Sequence, residues 1–251
     1  MGEEELALRM GLDAAFEQAL RPLQSRSEPV GVLFSAGVDS ALLAWELRHL
    51  PGVVLTTMGR EGSVDLRAGR EGAQLLGLPW AGVTVGTDEV RLAQHRFADA
   101  LEGLSDVSRT VLLSLALAIE GSSPPLLVCG QGVDELFLGY AHYRGLSAAD
   151  ADRRSQEDLA RLHDTDWPRT IRVAEKVGKE IIAPYLAPAF EAAAHRVPIE
   201  ARLPGDSPKR FFRDWAVGRG LPVELSRRAK KALQYGSGVA ALSRKLENSR
   251  P

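Results

Sequence analysis

Pro29-Val30-Gly31-Val32-Leu33-Phe34-Ser35-Ala36-Gly37-Val38-Asp39-Ser40 passes from an apolar run, through a turn of small and hydroxylated residues, into the leucine-rich stretch 41–50. Residues 29–34 read as a short buried strand. Residues 41–50 read as an amphipathic helix with Leu42, Leu43, Trp45, Leu47 and Leu50 available for packing. The turn between them therefore feeds a helix N-terminus, where unpaired backbone N–H groups and the positive end of the helix dipole attract an anion. Ala36 and Gly37 let phosphate oxygens approach the backbone, Val38 leads into the helix, and Ser35 and Ser40 add hydroxyl donors. Asp39 would repel a phosphate unless a cation lies between them, and Mg2+ suits that place because it combines few carboxylates with phosphate oxygens. The plainer alternative is a strand-to-helix turn with Asp39 as a helix cap.

A second apolar run, residues 126–129, leads into Gly130-Gln131-Gly132-Val133-Asp134-Glu135-Leu136-Phe137-Leu138-Gly139-Tyr140. This segment too would lie at the carboxyl edge of a parallel sheet, where open α/β folds bind ligands. Between the two, residues 53–58 and 80–85 read as strands, and 65–76, 87–103 and 108–120 as helices. Residues 3–24 form a helix ahead of the first strand. Such alternation predicts a doubly wound parallel α/β sheet with right-handed crossovers. After Tyr143 the pattern turns to helices without strands, near 148–163, 165–178, 187–194 and 208–218. The expected organisation is one domain over 1–251, with a nucleotide-binding α/β core to residue 145 and a helical cap over 146–251.

Ser35–Ser40 resembles the SGGxDS pyrophosphate loop (PP-loop) of the N-type ATP pyrophosphatases, with Ala36 in place of the first glycine. The 130–140 segment is similar to the G-E-G-x-D-E-L-F-x-G-Y segment of the glutamine-hydrolysing asparagine synthetases and of β-lactam synthetase. The resemblance implies an adenine-nucleotide α-hydrolase-like fold and ATP cleaved between its α and β phosphates. It also implies Mg2+ shared by Asp39 and Asp134, phosphate contacts along Ser35–Ser40 and near Gly130 and Gly132, and adenine contacts at Met58 and Cys129. It places Lys230, in Arg228-Ala229-Lys230-Lys231, on the lysine that stabilises departing pyrophosphate, with Gly236-Ser237-Gly238 near the phosphates. A compact ammonium suits that task. Ser63 and Asp65 match a G-S-x-D segment of the same fold; helix N-capping explains them equally well. Glu135, Arg169 and Glu180 are the implied substrate-binding residues.

Two departures stand out. Glu180-Ile181-Ile182-Ala183-Pro184-Tyr185-Leu186-Ala187 corresponds to the family's E-x-R-x-P-F-L-D, with Ile182 and Ala187 replacing an arginine and an aspartate. That changes the charges available to a substrate. Gln131 stands where the asparagine synthetases have a glutamate credited with deprotonating the attacking amine, and an amide cannot accept that proton. Either the nucleophile arrives neutral, or another carboxylate such as Glu135 or Glu180 is the base, or the chemistry ends differently.

The expected reaction adenylates a small-molecule carboxylate, releases pyrophosphate, and forms an amide with ammonia or an amine. Alternatives are an ATP pyrophosphatase acting on a non-aspartate substrate, and a nucleotide-binding subunit without turnover. With 251 residues and 45% hydrophobic content, the chain can bury a substantial core. A net charge of −2 gives no reason to expect nucleic-acid or membrane binding. The single cysteine, Cys129, excludes an intrachain disulfide and a cysteine metal cluster. With Gly2 at the second position and 29 residues ahead of Val30, no glutaminase domain is expected, so ammonia would come from solution, from a separate glutaminase, or not at all. A cytoplasmic location and a possible homodimer complete the expectations.

Overall fold

The structure, a computed structural model, describes residues 2–205, 207–228 and 233–247. Five parallel strands form its sheet: β1 (Val30–Leu33), β2 (Val54–Gly59), β3 (Trp80–Thr84), β4 (Leu126–Val128) and β5 (Glu180–Ile182), in the order β3-β2-β1-β4-β5. Every pairing is parallel. The helices before the last strand are α1 (Glu3–Gln24), α2 (Val38–Leu47), α3 (Val64–Leu76), α4 (Thr87–Arg96), α5 (Ala98–Leu101), α6 (Asp106–Gly121), α7 (Val133–Leu136), α8 (Ala148–Arg161) and α9 (Trp167–Lys176). After it come α10 (Pro188–Arg196), α11 (Ile199–Arg202), α12 (Arg210–Gly218), α13 (Val223–Ser226), α14 (Leu233–Gly236) and α15 (Val239–Glu247).

Every residue of the central strand β1 is buried, as are all three of β4, so these strands read as continuous apolar runs rather than alternating ones. The chain winds outward from β1 to β2 and β3, then returns to add β4 and β5 on the other side. The reversal falls between β1 and β4. The chain leaves their carboxyl ends in opposite directions, and it is in the crevice at such a point that folds of this kind bind ligands.

The expected cap of helices without strands needs correction. Glu180–Ile182 pairs in parallel with β4 in the register Leu126↔Glu180, Leu127↔Ile181, Val128↔Ile182, and so extends the sheet. Three residues are too few to show a strand period, and only the open edge of β4 selects this conformation for them.

Two packing features fix the later helices against the crevice. Phe16, Tyr185, Phe190, Phe212 and Trp215 form an aromatic cluster, with Phe16 stacked on Tyr185 at a ring-centroid distance of 5.3 Å. Arg219, just beyond α12, donates to Glu46 of α2 at 2.7 Å and to Asp13 of α1 at 2.6 Å, while Trp215 Nε1 donates to the same Asp13 oxygen at 2.9 Å. Helix α12 is thereby held to the helix that begins at the Ser35–Ser40 loop.

Candidate active site

The loop after β1 and the helix α2 it opens form one wall. Helix α2 starts at Val38, three residues earlier than the hydrophobic periodicity predicts, because Gly37 has the extended N-cap conformation (φ −79°, ψ 158°) and residues 38–40 form the first turn. Gly37 has no side chain with which to cap this end, which suits an anion at the first-turn N–H groups. Ala36 has φ +54°, a left-handed conformation that costs an L-residue roughly 1–2 kcal/mol. That is the position where the resembling loops have glycine. Ser40 Oγ donates to Gly37 O at 3.2 Å and accepts from Ser35 N at 3.2 Å, and the two serine hydroxyls lie 3.2 Å apart. Tyr185 Oη donates to the Asp39 carbonyl at 2.9 Å, tying the 180–187 segment to this loop.

The loop after β4 forms the facing wall, and glycines set how close the two walls come. A Cβ on Gly130 would lie 3.0 Å from Asp39 Cβ and 3.3 Å from Ser40 N. Gly132 has φ +102°, and a Cβ there would meet Leu186 Cδ2 at 2.7 Å. A Cβ on Gly139 would fall 1.9 Å from Asp134 Oδ1 and 2.9 Å from Lys209 Cδ.

Asp39 and Asp134 do converge, and the group at their meeting point is a lysine that the sequence reading did not single out. Lys209 Nζ lies 2.8 and 2.7 Å from the two Asp39 oxygens and 2.9 Å from Asp134 Oδ1. The ammonium is buried. Burial alone would lower its pKa, but Asp134 and Asp39 outweigh that and hold it above the ordinary lysine value. No spacing signal marked Lys209, which lies 170 residues from Asp39.

Among the described residues, no group of three or more His, Cys, Asp or Glu side chains could hold a metal ion by itself. Two carboxylates alone fit an ion that completes its coordination with phosphate and water oxygens, which is the habit of Mg2+. Lys230 lies outside the described residues.

The other predicted residues separate into those at the crevice and those away from it. Met58 and Cys129 lie at the carboxyl ends of β2 and β4, one on either side of β1. Cys129 N donates to Ile182 O at 3.0 Å, so that N–H belongs to the sheet. Its buried thiol is pushed up to about 12 by desolvation and donates to Gln131 Oε1 at 3.5 Å. Glu135 is buried beside Asp134 and accepts from Tyr140 Oη at 2.7 Å. Desolvation first, then the Asp134 charge, raises its pKa to about 7. The Gly236–Gly238 turn reaches the same sheet edge one strand away: Ser237 O accepts from Arg60 N at 2.7 Å, just past β2, and Gly236 packs on the Asp65 carboxylate. Ser63 is the N-cap of α3, accepting from Leu66 N.

Two substrate-binding expectations are not met. Glu180 begins β5, opposite Leu126 at the start of β4, and so sits at the amino edge of the sheet, where Arg26 holds both its oxygens at 2.8 Å. Three strand residues at about 3.3 Å each separate that edge from the crevice, which removes Glu180 as a candidate base. Arg169 donates to the Ala100 and Glu102 carbonyls, the latter at 2.8 Å, and so closes the C-terminal end of α5.

A parallel sheet with a glycine-started helix and two convergent carboxylates at its switch point defines an α/β protein of the doubly wound class, with a candidate site at the carboxyl edge of its sheet. The "Asparagine synthase" family model matches residues 11–150 and 144–249, and the chain belongs to that family. It is 28% identical over 217 residues to a glutamine-hydrolyzing asparagine synthetase of Triphysaria versicolor, covering 76% of this chain and 35% of that protein. It is 27% identical over 251 residues to the rat enzyme, covering 94% and 44%. A putative glutamine-hydrolyzing asparagine synthetase of Methanocaldococcus jannaschii is 25% identical over 266 residues, covering 90% and 49%. The chain thus spans between a third and a half of the length of these relatives. Among solved structures, a predicted subunit of a tRNA methyltransferase from Methanocaldococcus jannaschii overlaps 81% of this chain and 94% of its own, at 17% identity and a TM-score of 0.34, too low to carry an argument. No helix among the described residues is long and apolar enough to cross a membrane.

Proposed function

We propose that this chain adenylates a small-molecule carboxylate with ATP and transfers the acyl group to ammonia or an amine. The convergence of Asp39 and Asp134 on one cationic point, beside the uncapped start of α2, carries the reading. A substrate carboxylate oxygen attacks the α-phosphorus, the bond between the α-phosphorus and its bridging oxygen breaks, and pyrophosphate leaves along the Ser35–Ser40 loop. The α2 N–H groups, the loop hydroxyls and Lys209 face the charge that grows on the leaving group. Mg2+, held by Asp39 and Asp134 with phosphate oxygens, would supply further charge neutralisation when bound. In the second step an amine nitrogen displaces AMP from the acyl carbon. Lys230 remains the proposed pyrophosphate lysine on resemblance alone, and ammonia or an amine would serve as the acyl acceptor.

Ile182 and Ala187, in place of an arginine and an aspartate, favour a substrate other than aspartate within the same reaction class. Gln131 cannot take a proton, so the nucleophile either arrives already neutral or gives its proton to another carboxylate, of which Glu135, buried beside Asp134, stays at the site. Incubation with ATP, Mg2+, ammonia and a panel of carboxylates should release AMP and pyrophosphate, and Asp39→Asn should abolish that release. ADP and phosphate as products would refute the mechanism.

A further inference from the structure

Lys209 occupies an unusual position for a lysine. It is the N-cap of α12 in a left-handed conformation (φ 60°, ψ 32°), a geometry that L-residues with a Cβ seldom adopt. Its side chain is 6% exposed, and its Nζ contacts three of the four carboxylate oxygens of Asp39 and Asp134. The placement is enforced from both sides. Arg213 Nε holds the Pro208 carbonyl at 2.9 Å, and the Arg219 and Trp215 contacts with Asp13 and Glu46 anchor the far end of α12. Gly139, lacking a Cβ, provides the room that the Asp134 carboxylate and the lysine stem occupy.

The charge arithmetic at this point decides what can enter. Two carboxylates and one ammonium sum to −1, the nearby Arg213 guanidinium, on which both carboxylates act, takes the sum to zero, and the ammonium already uses the oxygens that a small divalent ion needs at about 2.1 Å. A lone divalent ion would have to displace a buried ammonium from the carboxylates that pair with it, which is costly. A nucleotide changes that balance, because its phosphates bring several negative charges to the start of α2 beside Lys209.

We propose that Lys209 is an internal counter-cation that closes the Asp39–Asp134 pair to free divalent ions and releases it only when nucleotide phosphates arrive to accept the ammonium. The inference rests on the reading of Asp39 and Asp134 as the Mg2+ carboxylates. Lys209 is then a positioning residue in the ligand-free chain, keeping the two carboxylates together without metal. It makes metal and nucleotide binding mutually dependent.

The test uses the full chain and Mn2+ as probe, with binding followed by electron paramagnetic resonance with and without a non-hydrolysable ATP analogue. Wild type should take up Mn2+ only with the analogue, and its melting temperature should rise with Mg2+ and analogue together but not with Mg2+ alone. Lys209→Met should bind Mn2+ without nucleotide at least about tenfold more tightly than wild type, since a positive charge a few ångströms away has been removed. Asp39→Asn added to Lys209→Met should cancel that gain. If Lys209→Met does not fold, the wild-type measurements decide: Mn2+ bound as well alone as with the analogue overturns the inference. Nucleotide-dependent binding in wild type with no gain in Lys209→Met also overturns it, while leaving the functional reading intact. Failure of wild type to bind Mn2+ even with the analogue overturns both.

Discussion

Replacing Glu135 with glutamine should remove a specific dependence of stability on pH. The Glu135 carboxyl is 4% exposed, lies beside Asp134 and near Asp158, and accepts one hydrogen bond from Tyr140. Desolvation is the largest influence and raises its pKa from the ordinary 4.5 to about 7 in the folded chain. The folded state therefore prefers the neutral acid. The stability this contributes is complete below the unfolded value of 4.5 and is lost as pH rises through about 7. A shift of that size corresponds to about 3 kcal/mol. Glutamine keeps an acceptor for the Tyr140 hydroxyl and cannot ionise. Urea unfolding of the metal-free, nucleotide-free protein from about pH 5 to about pH 8 should show wild type losing stability relative to Glu135→Gln by roughly that amount. Groups that titrate in both proteins cancel in the difference. Curves that stay parallel across that range would show that the fold does not disfavour the Glu135 carboxylate.

Gly139→Ala should disrupt the site more than the fold: its Cβ takes the space of Asp134 Oδ1, costing about 1–3 kcal/mol by denaturant unfolding and most of any AMP-forming activity. The Cys129 thiol, pushed up to about 12 and buried, should resist iodoacetamide in the native protein at about pH 8 and react fully in denaturant, as read by mass spectrometry. Arg169→Ala should lower stability by about 1–2 kcal/mol through the freed Ala100 and Glu102 carbonyls. Glu180→Gln should stay within about 0.5 kcal/mol, because its ion pair with Arg26 is exposed. Neither change should alter AMP release, and a loss of turnover in either would return those residues to the site.

The local pattern of the chain was enough to locate the walls of the crevice. Apolar runs at β1 and β4, each followed at once by small residues and an aspartate, state in the sequence that a tight turn follows a buried strand. The helices from 3–24 to 108–120 follow from periodicity in the same way, because burial of one face leaves a mark on contiguous residues. Ser63 as a cap was legible for that reason too. What the local pattern could not supply was adjacency between distant segments. Glu180–Ile182 became a strand only because β4 offers it an unpaired edge, and that pairing put Glu180 at the sheet's amino end, away from the crevice. Arg169 looked like a substrate ligand until the fold set it against the end of α5. Tyr185 and Lys209 reach the Ser35–Ser40 loop across 146 and 170 residues, through packing of α12 and the aromatic cluster. Strand and helix signals are written into neighbouring residues by burial; the charge balance at Asp39 and Asp134 is written only by which remote side chains the tertiary packing delivers there.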